Sequence, residues 1–146
     1  MTSTSPSGCQ RRSRGHESLR RLMTKTLSRV LLWISAAILV FGGVMHARAF
    51  NGARAAIDES NLPAFYASSL KALWMIDSAT LITLGIVFVL IAVRPRVTSG
   101  IVVSLLTVIP AATAGLIYYF VGPFLPAHLL MTGAALAFVA GVSERS

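Results

Sequence analysis

Residues 72–93 read ALWMIDSATLITLGIVFVLIAV, and this stretch decides the class of the fold. It is 22 residues long and carries one formal charge, Asp77. A helix of about 20 apolar residues crosses the hydrocarbon core of a bilayer. A segment surrounded by lipid must satisfy its own backbone hydrogen bonds, which a helix does without help from neighbours. Three further stretches share this character: Val30–Ala47, Ile101–Gly122 and Leu125–Val142. Together the four hold 80 of the 146 residues, and Asp77 is the one Asp, Glu, Lys or Arg among them. The alternating polarity of barrel strands is absent. The expectation is an all-α integral membrane protein with four transmembrane helices in an up-down antiparallel bundle.

Composition supports the same class. Hydrophobic residues make up 55% and charged residues 12%, and the mean hydropathy is +0.72, too little polar side chain to cover a water-soluble domain. The lone cysteine, Cys9, excludes a disulfide framework and a cysteine-based zinc site. No serine–histidine, metalloprotease or phosphate-loop pattern occurs, so the chain reads as something other than an enzyme.

The net charge of +8 is unevenly placed. With the N-terminus in the cytoplasm, ten Lys and Arg fall inside, from Arg11 through Arg145, and three fall outside: Arg48, Arg54 and Lys71. This satisfies the positive-inside rule and predicts both termini in the cytoplasm of a bacterial-type inner membrane. The arginines have no interleaved aromatics or binding module, so they point to anionic lipid and away from nucleic acid. Residues 1–26 read as a disordered basic tail, with Met23 as an alternative start, ahead of a transmembrane domain over 27–146. Ala47-Arg48-Ala49 has the small-x-small form of a cleavage site, but the arginine is unfavourable there, and an uncleaved anchor is expected.

The connections read as a long external loop over 48–71, a short one at Arg94–Gly100 that makes helices 2 and 3 neighbours, and a tight one at Gly122–Pro126. Within the long loop, Ser60-Asn61-Leu62-Pro63 has the form of a capped helix start, so helix 2 is expected to begin near Leu62 and to extend well beyond the membrane before entering it. Small residues mark packing faces. Thr107, Ala111 and Gly115 recur every four residues in helix 3, and Gly133, Ala137 and Gly141 do so in helix 4. In helix 2, Lys71, Ser78, Gly85 and Ala92 recur every seven. Pro110 should interrupt helix 3 and free a carbonyl.

The polar groups that carry chemistry converge on the outer side. Helix 1 ends there at His46 and helix 4 begins there at His128, while Asp77 lies about 9 Å deeper than Lys71 along helix 2. A candidate cluster of His46, Asp77, His128 and Lys71 follows, with Asn51 and Tyr118 or Tyr119 nearby. Asp77 is either a proton-coupling or binding group or a structural hydrogen-bonding partner, since an unpaired carboxylate in a span costs several kcal/mol. His46 and His128 are the candidate metal or haem ligands, against ordinary interface histidines. No cofactor is the first expectation, with haem or a divalent metal as the alternative.

Four functions remain in view, the last a membrane enzyme acting on lipid or carrier substrates, which no catalytic pattern favours. The first is a structural or accessory subunit, with the bilayer and a membrane protein or second copy as partners. The second is a redox, metal- or haem-binding protein using His46 and His128, with a quinone as a further candidate. The third is a proton-coupled transporter using Asp77. In outline the chain resembles the small multidrug exporters, which share its length, four spans and one essential membrane carboxylate. It departs from them because their acid lies in helix 1, where this chain has none.

Overall fold

The computed structural model describes residues 7–94 and 99–143, with side chains from Leu22 onward. Its elements are α1 (Ser7–Asp58), α2 (Ala64–Val93), α3 (Gly100–Leu106), α4 (Val108–Phe120) and α5 (Leu125–Ser143). α3 and α4 form one apolar stretch, Gly100–Phe120, so among the described residues four helices are long and apolar enough to cross a membrane. No strand occurs among the described residues.

Helix runs further than the composition suggests at both ends of α1. It begins at Ser7, so residues 7–26, read as a disordered tail, continue the helix, while residues 1–6 lie outside the described part. At the other end it reaches Asp58, and α2 resumes at Ala64. The start of α2 at Ala64 agrees with the expected early start of helix 2 near Leu62, while the first part of the expected loop over 48–71 continues α1, leaving a turn of five residues, 59–63. The cause is alanine: Ala47, Ala49, Ala53, Ala55 and Ala56 give this polar stretch high helix propensity. The expected cap is also reassigned. No side chain caps α2 at Pro63; the Ser60 hydroxyl turns back and donates to the Ile57 carbonyl at 2.6 Å, closing α1 instead.

The third span breaks at Thr107. Pro110 has no N–H to offer the Leu106 carbonyl, so α3 ends there and α4 starts at Val108. The Thr107 hydroxyl donates to the Ser104 carbonyl at 2.6 Å, and the Ala111 N–H to the Thr107 carbonyl at 3.2 Å. This agrees with the expected interruption.

Packing follows a repeat of seven. Buried rows run through Ser28, Leu32, Ser35 and Leu39 in α1, flanked by Ala36 and Gly43, and through Ser78, Leu81, Gly85, Phe88 and Ala92 in α2, flanked by Leu84 and Ile91. Gly100, Val103, Thr107, Pro110 and Ala114 follow in the third span, and Ala127, Leu130, Ala134, Ala137 and Gly141 in α5. Steps of three and four keep a stripe on one helix face. α1 and α5 run antiparallel in matched register: Ser28 donates to the Ala140 carbonyl at 3.2 Å and Ser35 to the Gly133 carbonyl at 2.7 Å. Against α2, a β-carbon on Gly85 would lie 3.0 Å from the Ala36 carbonyl oxygen, and one on Gly43 3.0 Å from that of Ser78. Only hydrogen side chains allow the two backbones to come this close.

The four-residue rows fare differently. Gly133, Ala137 and Gly141 are buried because α5 lies between α1 and the third span. In the third span Thr107 is buried, Ala111 half-buried and Gly115 exposed. A step of four residues turns about 40° past a full circle, so such a row drifts off the seam.

α1 packs on α2 and α5, and α5 packs on α3 and α4. α2 makes no more than grazing contact with α3, α4 or α5, which corrects the expectation that helices 2 and 3 are neighbours. Six peptide links span about 20 Å when extended, so the Arg94–Gly100 connection does not force contact. The bundle is left with an open edge between α2 and the third span.

Candidate functional site

At the end of the bundle that carries the 59–63 turn, the open edge becomes a cavity of about 480 Å³. α1 contributes Ile38, Phe41, Gly42, Met45, His46 and Ala49, a row at helical spacing. α2 contributes Trp74, Asp77 and Leu81, again one face. α4 adds Ile117, and Val121 just beyond that helix, together with Phe124, Pro126, Leu129 and Leu130, completes the wall. Apart from His46, Trp74 and Asp77 this lining is apolar.

Those three side chains form one corner. The His46 imidazole stacks on the Trp74 indole, with centroids 4.3 Å apart and planes 5° from parallel. The indole N–H donates to the His46 carbonyl at 2.8 Å, which ties α2 to α1 beside the ring. His46 Nε2 lies 3.5 Å from Asp77 Oδ2, and each side chain is about one-third exposed. This separation is long for a hydrogen bond. Among the described residues His46 is the only basic side chain within 4.0 Å of Asp77. The close α1–α2 approach at Gly43 and Gly85 sets the depth at which His46 and Asp77 meet.

The other expected members of the cluster lie elsewhere. His128 is exposed, and its Nδ1 is 2.6 Å from the Tyr118 hydroxyl, with the two rings edge to face. It is not among the cavity residues, so the structure joins His46 to Asp77 and leaves His128 out. Lys71 pairs with Asp58 beyond the cavity, and Arg54 lies 3.6 Å from the same carboxylate. The Lys71 hydrogen bond and the nearby charges of Lys71 and Arg54 hold the Asp58 carboxyl below its ordinary value of 3.8. Asn51 is exposed. Among the described residues no three His, Cys, Asp or Glu side chains converge where a metal ion would sit.

Sequence reasoning missed two parts of this arrangement. Trp74 reads as an interfacial ring, but it is the stacking partner of His46; its spacing of three from Asp77 is the signal that places both on one face. The Asp58 latch is announced by Arg54 and Asp58 at a spacing of four, the ordinary helical ion-pair distance. No family model matches the chain, and no curated protein or solved structure matches it.

Proposed function

We propose that this chain is a small multi-pass membrane protein that holds a lipid-soluble molecule in the cavity between α1, α2, α4 and α5. The observation that carries the reading is the cavity itself. Its volume, about 480 Å³, is within the range of small-molecule sites, which are typically apolar with a few placed polar groups. Here those groups are gathered in the His46–Asp77 corner, and an ionisable residue within a membrane span is a functional candidate by default. The surrounding surface is apolar, with Phe41, Met45, Val121 and Phe124 exposed, which suits entry from the bilayer.

The reading includes an orientation and a setting. Ten of the thirteen Lys and Arg would lie on the cytoplasmic side of a bacterial-type inner membrane, together with both termini. The setting is that of an accessory component. Gly115 on α4 supports it, being exposed with nothing within 4 Å of where a β-carbon would stand, so a partner helix or second copy can approach closely there.

Gly42 gives the test. It lines the cavity, and a β-carbon on it would meet open space, so Gly42→Leu puts added bulk into the cavity with no clash at its β-carbon. Native mass spectrometry of detergent-released protein should show a bound lipid-soluble species on the wild type, reduced at least tenfold in Gly42→Leu and retained in Gly42→Ala. Equal occupancy in all three would sink the cavity reading. The same spectra weigh the setting, because a purely monomeric, partner-free ion series from native membranes would remove the accessory role.

A further inference from the structure

We propose that the molecule held in the cavity is an isoprenoid quinone, its ring against the His46–Asp77 corner and its chain leaving between α2 and α4. This rests on the cavity reading above and adds the chemical class of the ligand. Four observations select it.

The first is the pairing of a donor with an acceptor. With its proton on Nε2, the His46 imidazole donates to a quinone carbonyl, and Asp77 accepts from the hydroxyl of the reduced quinol. At 3.5 Å the two groups do not saturate each other, so both keep hydrogen-bonding capacity for a ligand. The second is charge. With His46 neutral, as its donor role requires, the corner offers no cation to hold a fatty acid or an anionic phospholipid head, and Lys71 is engaged with Asp58. The third is the shape of the walls. The stacked His46–Trp74 pair offers its outer face and ring edges, and Phe41 and Phe124 supply further rings, a lining suited to a flat head. The fourth is the exit. α2 and α4 both line the cavity without packing on each other, leaving a seam through which an apolar chain reaches lipid. The proposal concerns binding and assigns no redox step to the protein.

The protein has two tryptophans, Trp33 and Trp74, so Trp33→Phe leaves Trp74 as the sole indole reporter. Quinones quench indole fluorescence on contact. Decylubiquinone added to the full-length Trp33→Phe protein in detergent should quench it saturably. In that background His46→Ala should weaken the oxidised form about tenfold, the loss of roughly one hydrogen bond. Asp77→Ala should weaken the quinol about tenfold, measured anaerobically by competition against the quinone. Farnesol, an isoprenoid without the ring, should compete at least tenfold more weakly than decylubiquinone.

Farnesol competing as well as the quinone overturns the ligand class while leaving the cavity reading intact. Quenching that rises linearly, and identically in Gly42→Leu, overturns quinone binding. If native spectra also show no bound species, the cavity reading falls with it.

Discussion

Lys71 precedes Asp77 by six residues on the same helix, yet it reaches back across the turn to Asp58. Six residues place the two side chains about 120° apart around α2, so Lys71 is directed to the end of α1 and Asp77 to His46. The sign of the resulting pH dependence is fixed. Asp58 titrates lower in the folded protein than its ordinary 3.8, chiefly because Lys71 donates to it. The contribution of the pair is therefore present above that value and is lost as pH falls through the lowered folded one. Lys71→Met should raise the Asp58 midpoint toward 3.8, read from the carboxyl carbon by NMR. An unmoved midpoint would mean that the pair does not form in solution. Global stability should hardly change, since an exposed pair is screened by water and salt. The same angular reasoning explains which site residues were legible. Topology alone brings the end of helix 1 and the start of helix 2 to one level, so His46 and Asp77 were foreseeable as neighbours. His128 shares that end of the molecule, but its direction around α5 is set by packing against α4, where Tyr118 receives it. A single sequence encodes the level of a side chain more plainly than its bearing.

Among the helices, the α1–α2 seam is the one on which the site depends. Lipid supplies little hydrophobic drive for helices to associate, so close van der Waals contact and occasional hydrogen bonds must hold them. Gly85→Leu would force a side chain against the Ala36 carbonyl and Val40. We expect a loss of about 1–3 kcal/mol, the usual cost of overpacking, together with separation of His46 from Trp74. Ser35→Ala, which removes one α1–α5 hydrogen bond, should cost about 0.6 kcal/mol, the average for such bonds within membranes. Reversible unfolding in mixed micelles checks both values, and a Gly85→Leu protein as stable as the parent would refute the close approach. Of the seven-residue row Lys71, Ser78, Gly85 and Ala92, the last three lie buried in the seam, whose period they match, while Lys71 pairs with Asp58 instead. The row ending at Gly115 was misleading because its period of four winds away from the seam. Helix extents were less legible than helix identities: alanine propensity extends α1 to Asp58, whereas polarity alone suggested a loop.

For the whole molecule, charge asymmetry makes the strongest claim. If the basic ends face the cytoplasm, alkaline phosphatase fused after Ser60 should be active, and a green fluorescent protein fused to Ser146 should fluoresce. The opposite pair of signals would place the cavity on the cytoplasmic side. The arrangement of the spans was legible in part: helix 1 flanks helix 4 as the antiparallel bundle implies, while the gap between α2 and α4 has no signature in loop length. The break at Thr107 then takes on a mechanical meaning. Three of the four spans are continuous rods, stiffened along their length by unbroken backbone hydrogen bonding. The third is jointed, because Pro110 has already forfeited the bond that bending would otherwise have to rupture. The compliant member of this frame is also the one whose far half, through Ile117 and the adjoining Val121, forms a wall of the cavity. A bend at that joint would move this wall of the cavity while leaving the His46–Asp77 corner, mounted on two unbroken helices, in place.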